Sequence, residues 1–294
     1  MNPCLNRIVT WPILFVLLIG CAPASQVAPQ PDLPSPTPPS LPARPPTQAP
    51  AASDPDTPTD YFLHDARQIG DYTIKIWRHV NDPYGVIRGL AVIAAPNLSP
   101  VSIELVEEFG ELPASDVTGE GDPDVVFKLR AIGSSHCCWG AAVYNLGTSP
   151  SQVLESWTPP YGYWDQTDFR DLNGDGRFEL VTREMVTGFS CTQPTAQVVL
   201  EYEAGRGYVP ASPRFPEAYT ELIMNQTRLA EAALGEAVKG YRCGVLDLVL
   251  NYLYAGRSDR AWSELWRLYP APDVDEFRAQ IEKAVHHNPM YVQP

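Results

Sequence analysis

The chain has 294 residues, of which 44% are hydrophobic, and its formal net charge is -14. Its length allows about two domains, but 31 prolines are too many for compact domains alone, so part of the chain is predicted to be a non-globular spacer. The negative charge argues against a nucleic-acid partner. A polytopic membrane protein is excluded as well, because the longest apolar run, Trp11 to Ile19, is shorter than the ~20 residues that span a bilayer.

The N-terminal segment has the pattern of an export signal. A short polar stretch with Arg7 precedes the apolar run, and Gly20 and Cys21 follow it. This order is typical of a signal peptide rather than of an anchor helix, so residues 1–20 are predicted to be removed.

The end of this segment, Leu18-Ile19-Gly20-Cys21, resembles the lipobox of bacterial lipoproteins. The resemblance implies that the Cys21 sulfur carries a diacylglycerol and that the new amino group is a site of acylation. The alternative is an ordinary secretory signal in which Cys21 is incidental. Several acyl chains anchor a protein stably. The resemblance therefore implies a protein held by its lipid in the cell envelope, on the outer membrane or the outer face of the cytoplasmic membrane. By the rule of that family, Ala22 in place of Asp implies the outer membrane in a cell with two membranes.

A proline-rich stretch follows the lipidated cysteine, and residues 21–60 are predicted to be a disordered tether. From Ala22 to Asp60, 13 of 39 residues are proline and large apolar side chains are almost lacking. Such a sequence cannot bury enough surface to offset its ordering entropy. At ~3.1 Å per residue it would extend on the order of 100 Å. A proline-rich recognition ligand is the alternative, but the spacing of the prolines is irregular.

Residues 61–212 are predicted to be an all-β domain, because short apolar runs alternate with turn residues. Tyr72, Ile74 and Ile76 fall on one face of the first run. Further candidate strands are Val86 to Ala94, Val101 to Val106, and Val125 to Leu129.

This region contains an internal repeat. The segment from Asp116 to Val126 recurs 55 residues later, from Asp171 to Val181, and an apolar run and a glycine turn follow in both copies. A third, degenerate unit without the acidic loop is predicted over residues 70–110.

Both repeated loops carry side-chain oxygens at positions 1, 3, 5 and 9, a pattern that suits Ca²⁺. Position 7 offers only a backbone carbonyl, which tolerates Asp122 or Arg177. The loops are not EF-hands, because position 12 is Phe127 or Thr182 instead of a bidentate Glu and strands flank each loop. The candidate side-chain ligands are Asp116, Thr118, Glu120 and Asp124 in the first loop and Asp171, Asn173, Asp175 and Glu179 in the second.

A loop of this kind that enters a strand is similar to the FG-GAP and VCBS repeats, whose blades form β-propellers. The resemblance covers about 100 residues, from Asp116 to Pro210, and implies that the candidate ligands above bind Ca²⁺. The first copy departs from the pattern with Glu120, where a shorter Asp is usual. The predicted fold class is therefore mainly β, with about three propeller-like antiparallel units that need not close into a ring, followed by a small helical bundle.

The cysteines beyond Cys21 are predicted to form disulfides, since an even number in an exported domain usually pairs. Four cysteines allow three connectivities, and repeat equivalence favours Cys191 with Cys137 or Cys138, leaving the other for Cys243. A thiolate nucleophile at Cys137, beside His136, is the alternative.

An aromatic loop precedes the second acidic loop. Its aromatic residues are either a ligand-binding platform or packing between sheets. They are Trp157, Tyr161, Tyr163 and Trp164.

Residues 213–294 are predicted to be helical, because the apolar period changes after Pro216. Ser258 and Asp273 are candidate helix caps.

Two functions fit these features. The first is a Ca²⁺-stabilised module that binds or scaffolds an unknown envelope protein or glycan, with the membrane contacted through the lipid. The alternative is an envelope hydrolase that acts on glycan through acid/base carboxylates, which requires a carboxylate of raised pKa in a cleft beside the aromatic loop.

Overall fold

The computed structural model describes residues 57–81, 89–112, 114–130, 139–156, 164–191, 194–234 and 238–294. These residues form strands up to Pro210 and helices after it. The strands are β1 (Tyr61–Ile69), β2 (Tyr72–His79), β3 (Gly89–Ala94), β4 (Val101–Glu104), β5 (Val106–Phe109), β6 (Asp124–Arg130), β7 (Trp139–Leu146), β8 (Pro150–Glu155), β9 (Trp164–Arg170), β10 (Glu179–Met185), β11 (Thr195–Glu203) and β12 (Gly207–Pro210). After short 3₁₀ turns at Ser212–Arg214 and Pro216–Tyr219, the helices are α1 (Thr220–Ala232), α2 (Val238–Tyr254), α3 (Ser258–Leu268) and α4 (Val274–His286).

The strands form three four-stranded antiparallel sheets in chain order. Sheet 1 contains β1 to β4, sheet 2 contains β5 to β8, and sheet 3 contains β9 to β12, with neighbouring strands paired in each. Within the described ranges, one residue pair of β7 and β9, Trp139 with Trp164, joins sheets 2 and 3 edge to edge. In the part of the chain that the structure describes, the sheets do not close on one another. This open array of antiparallel units followed by helices confirms the predicted fold class.

Sheet 2 lies between the other two sheets, and its inner strands β6 and β7 are largely apolar on both faces for this reason. On β6, Val125 and Phe127 pack with Ile74 of sheet 1, whereas Val126 packs with Leu180 of sheet 3. Burial on both faces produces a continuous apolar run instead of an alternating one. The strand predicted at Val125 to Leu129 is confirmed as part of β6, and the shared inner face of Tyr72, Ile74 and Ile76 is confirmed on β2.

The helices cover the far face of sheet 3 and share its hydrophobic core, which includes Val199 of β11 and Val245 and Leu246 of α2. All the residues described from Thr57 onward belong to one compact unit. Secondary structure changes from strand to helix between Pro210 and Ser212. None of the helices that the structure describes is long and apolar enough to cross a lipid bilayer.

Side chains from outside the sheet cap the free edge of β11. β12 pairs only with residues 200–203 of this strand. Ahead of that point, the N–H of Thr195 donates to Asp247 Oδ1 at 3.3 Å and the N–H of Gln197 donates to Asn251 Oδ1 at 2.8 Å. Val199 N–H donates to Ser212 Oγ at 2.9 Å. These acceptors satisfy buried backbone groups that a longer β12 would otherwise pair.

Four sequence predictions about elements are corrected. The strand expected from Val101 to Val106 is broken at Leu105, whose φ of 62° ends β4 and sends β5 into the next sheet. The degenerate unit is therefore sheet 1, from Tyr61 to Glu104, rather than residues 70–110. Ser258 is the first residue of α3 rather than its cap. Asp273 is at the cap of α4, but its carboxylate accepts from the Tyr269 hydroxyl at 3.0 Å and makes no capping bond.

Candidate cation-binding loops

The two acidic segments are loops that lead from the first to the second strand of a sheet. The first, from Asp116 to Asp124, joins β5 to β6, and the second, from Asp171 to Glu179, joins β9 to β10. Both wind through glycines whose positive φ would strain any larger residue. These glycines are Gly119 (72°), Gly121 (95°), Gly174 (76°) and Gly176 (84°). The 55-residue repeat thus places the same loop at the same position in sheets 2 and 3.

Hydrogen bonds among its own groups close the first loop. Asp116 accepts from two backbone N–H groups of the loop, at 3.0 and 2.8 Å. At position 9, Asp124 Oδ2 accepts from the N–H and from the hydroxyl of Thr118, both at 3.0 Å. Asn145 on β7 donates to Asp124 Oδ1 at 3.2 Å. Thr118 and Asp124 are fully buried, so this carboxylate finds its donors inside the protein.

The other two acidic side chains of the first loop face neighbouring strands. Glu120 lies beside the hydroxyl of Tyr202 on β11, and burial followed by the neighbouring Glu120 carboxylate raises the pKa of Tyr202. Asp122 lies over Gly147 in the turn after β7, where an added Cβ would be 2.7 Å from Asp122 Oδ2. Both side chains therefore connect the loop to its surroundings.

The second loop is more open to solvent. Asp171 accepts from the N–H groups of Gly174, Asp175 and Gly176 at 2.7, 3.1 and 3.1 Å. Asn173 donates its amide to Asp175 Oδ2 at 3.1 Å. The side chains at positions 1, 3 and 5 are all exposed.

The carboxylate at position 9 of the second loop is buried, as it is in the first. Glu179 is 1% exposed, and its Oε2 accepts from the N–H of Leu172 at 2.7 Å. Burial raises the pKa of Glu179, backbone hydrogen bonds lower it, and the charges of Asp175 and Glu201 raise it again. Its cross-strand partner on β9 is Arg170, whose guanidinium pairs with Asp168.

Burial also raises the pKa of Asp124, and its hydrogen-bond donors oppose the shift. The hydrogen bonds from Thr118 and then from Asn145 lower this pKa, and the charge of Asp116 raises it. The two carboxylates at position 9 therefore share their burial and differ in what surrounds them.

The two loops contact each other. The N–H of Phe178 donates to the carbonyl of Val117 at 3.0 Å, and the hydroxyl of Tyr208 donates to the carbonyl of Phe178 at 3.1 Å. The side chain of Arg177 crosses Gly119, where an added Cβ would be 2.5 Å from Arg177 Cγ. Position 7 of the second loop is thus packed on the first loop.

The donor set of the second loop fits Ca²⁺, which prefers 6–8 oxygen ligands. Asp171, Asn173 and Asp175 offer exposed oxygens on one short loop that also contains the buried Glu179 carboxylate. Within the described ranges, no three His, Cys, Asp or Glu side chains come close enough together to hold a metal ion. A bound ion would therefore draw these side chains inward. The first loop fits less well, because its residue at position 3, Thr118, is fully buried, whereas Asn173 is exposed.

The predicted disulfide pairing of Cys191 with Cys137 or Cys138 is wrong. Cys191 is bonded to Cys243 on α2, with their Cα atoms 5.5 Å apart. α2 packs against sheet 3, which brings Cys243 to the loop between β10 and β11, and repeat equivalence carries no information on this contact. Cys137 and Cys138 lie outside the described residues, as does Cys21.

The aromatic loop is described only in part. Trp157, Tyr161 and Tyr163 lie outside the described residues, and Trp164 begins β9. Two grooves are found elsewhere on the described surface. One of about 290 Å³ lies between sheet 3 and α1, where Arg170 and Glu221 line it. The other, of about 400 Å³, lies beside α4.

Sequence reasoning missed three residues that shape the loops. Asn145, Tyr202 and Tyr208 reach them from β7, β11 and β12. Asn145 does give a sequence signal, because it is a polar residue within the apolar run of β7. The two tyrosines are ordinary strand residues and give no such signal.

Comparison with known protein families, characterised proteins and solved structures finds no match to this chain.

Proposed function

We propose that this chain is a lipoprotein of the bacterial cell envelope whose β-repeat unit binds or scaffolds an envelope partner and is stabilised by Ca²⁺ at the second acidic loop. One observation carries the calcium proposal. Exposed oxygen donors at Asp171, Asn173 and Asp175 share a loop with Glu179, a buried carboxylate with acidic neighbours. A divalent cation relieves this accumulation of negative charge.

The binding role is supported by the architecture of the unit. Three sheets and a helical layer share continuous cores, so surface groups on them are held by rigid elements. The loops of sheets 2 and 3 lie side by side through the bond between Phe178 and Val117. A cation bound at the second loop would therefore stabilise the contact between the two sheets.

The N-terminal segment supplies the proposed location. Lipidation at Cys21 and a tether over residues 21–60 would hold the folded unit within about 100 Å of the membrane. A partner protein or glycan of the envelope lies within that reach.

The observations favour the module over the glycan hydrolase. Among the residues that the structure describes, three carboxylates have a raised pKa: Asp124, Glu179 and Asp247. Each accepts a hydrogen bond from a backbone N–H of the protein, and the donors are Thr118, Leu172 and Thr195 respectively. None of the three lines either groove described above. A general acid needs reach to its substrate, and Asp124 and Glu179 are buried, while Asp247 is half-buried at the edge of β11.

Crosslinking in intact cells tests the binding role. A photoreactive amino acid is placed at Met224, which is 62% exposed, or at Met290, which is buried, as the matched control. We expect the Met224 position to yield a discrete adduct that depends on Ca²⁺ and weakens with Asp175→Ala. If purified chain instead cleaves wall glycan and loses this activity with Glu179→Gln, the hydrolase is the correct reading.

A further inference from the structure

Strand β1 presents a long free edge. It ends sheet 1, and in the part of the chain that the structure describes no strand pairs with its outer side. β1 has nine residues, whereas the edge strands β4, β5 and β12 have four each and β8 begins with Pro150. Short edge strands, prolines and lysines commonly protect a sheet from pairing with another chain. β1 contains neither proline nor lysine.

This edge is open to solvent. Residues 61–68 are all at least partly exposed, on both faces of the strand, and Phe62 and Leu63 are 47% and 45% exposed. The free edge of β11 differs, because side chains of α2 and of the turn after β12 cap it. On β1, the N–H of Ala66 donates to the neighbouring Asp65 Oδ1 at 2.7 Å, so its partner is an exposed side chain of the same strand. β1 is therefore an edge that can accept another strand.

The charges of β1 are complementary to those of a second β1. Asp65 and Arg67 lie on one face, with 3.7 Å between Oδ2 and Nη2, and the Arg67 guanidinium is 4.1 Å from the centre of the Phe109 ring. In an antiparallel pair, residues opposite each other share a face. A two-fold axis at Ala66 would place Asp65 of each copy opposite Arg67 of the other. An axis at Asp65 or at Arg67 would place like charges opposite each other instead.

We propose that β1 pairs with β1 of a second copy of this chain, antiparallel and centred on Ala66, so that sheet 1 continues across a symmetric dimer. Two ion pairs between Asp65 and Arg67 then flank the axis. The Ala66 N–H exchanges the Asp65 carboxylate for the Ala66 carbonyl of the second copy, as paired strands do. β1 holds one acid and one arginine, so this edge is locally neutral in a chain of net charge -14. The dimer goes beyond the proposed function and does not depend on it.

A disulfide between copies tests the position of the axis. The full chain with Ala66→Cys is produced in cells, an oxidant is added, and the linked dimer is measured on a gel without reductant. Ala66 of the two copies would face each other within disulfide range. Gln68→Cys is the matched control, because Gln68 would lie opposite His64 and away from its own counterpart. We expect several times more dimer from Ala66→Cys. Equal yields from the two positions, or a link only to a different protein, would overturn the proposal.

Two charge variants, each added to Ala66→Cys, test the ion pairs between copies. Asp65→Arg alone brings two arginines opposite each other and Arg67→Asp alone brings two acids together, so each should give about tenfold less dimer. Producing the two variants together should restore the dimer, because the pairs between copies re-form while the pair within each chain stays broken. Single variants that link as well as Ala66→Cys, or a mixture that links no better than they do, would overturn the proposal.

Discussion

Asp247 illustrates how burial sets the chemistry of a single side chain in this protein. It lies on α2 and accepts from the N–H of Thr195 on the free edge of β11. Burial raises the pKa of Asp247 to about 6, and the hydrogen bond from Thr195 and the charge of Arg183 on β10 oppose the shift. The carboxyl group therefore changes charge in the folded protein at a pH where it is already ionised in the unfolded chain.

Asp247→Asn is expected to remove a pH dependence of stability. Below about pH 4, the group is protonated in both states and imposes no penalty. Between about pH 4 and 6, the unfolded chain ionises first, so wild type loses stability as pH rises, on the order of 2–3 kcal/mol. Urea unfolding of wild type and Asp247→Asn should give similar free energies at pH 4 and a more stable variant at pH 7.5. A difference that is constant across this range would contradict the assignment.

At this scale, the sequence shows which residues carry oxygens but not what each oxygen contacts. Positions 1, 3, 5 and 9 of both loops are visible in the repeat. The difference between Thr118 and Asn173 depends on burial, and the bond from Asn145 depends on the register of β6 with β7. Side-chain partners that lie on another strand follow only from the assembled sheet.

At the scale of elements, α2 connects the helical layer to sheet 3. Cys243, Asp247 and Asn251 are spaced four residues apart, so they lie along one face of the helix. This face meets the loop after β10 and the edge of β11 through the disulfide and the two capping bonds. α2 thus supplies hydrogen-bond acceptors to the free edge of β11, as a neighbouring strand would.

Removing the disulfide should lower the free energy of unfolding by a large part of the about 5–15 kcal/mol that is typical of folded proteins. The bond closes a sequence separation of 52 residues, for which the chain-entropy estimate is about 4 kcal/mol. Urea unfolding of the Cys191→Ser/Cys243→Ser double variant measures this loss. Peptide mapping of the wild type without reductant should recover Cys191 linked to Cys243. Recovery of Cys191 linked to Cys137 or Cys138 would contradict the structure.

Strands were predictable where local pattern decides them, and less so where tertiary structure does. Alternation identified β2, and the continuous apolar run identified β6. The break at Leu105 was missed because a non-glycine residue with positive φ leaves no reliable sequence signal. The repeat located equivalent loops in sheets 2 and 3, but the packing of α2 on sheet 3 joins segments about 50 residues apart and has no local pattern.

At the scale of the whole molecule, the proposed anchor would determine where the protein is located without contributing to its folding. Under the proposal, lipid attachment at Cys21 and a tether over residues 21–60 would keep the folded unit free of the membrane surface. The stack of sheets depends instead on its two hydrophobic cores and on the junction between the acidic loops. Loss of the anchor should therefore change where the protein is found without changing its melting temperature.

Metabolic labelling with a fatty-acid analogue tests the anchor. Wild type should be labelled and recovered with membranes, and Cys21→Ala should be unlabelled and released, because the modified thiol is lost. Cys4→Ala is the matched control, since Cys4 lies in the predicted signal peptide and its loss should leave labelling intact. Equal membrane recovery of wild type and Cys21→Ala would rule out the lipoprotein assignment.

The calcium dependence of thermal stability tests the central claim most directly. At about 10 mM Ca²⁺, an affinity of ~10⁻⁴–10⁻³ M stabilises the folded state by about 1.4–2.7 kcal/mol. Relative to chelator, this raises the melting temperature by about 3–10 °C. We predict this rise for wild type, a smaller one with Mg²⁺, and loss of most of it in Asp175→Ala. A wild-type melting temperature that is the same in Ca²⁺ and in chelator, or an Asp175→Ala variant that responds to Ca²⁺ as wild type does, would contradict a calcium-stabilised repeat.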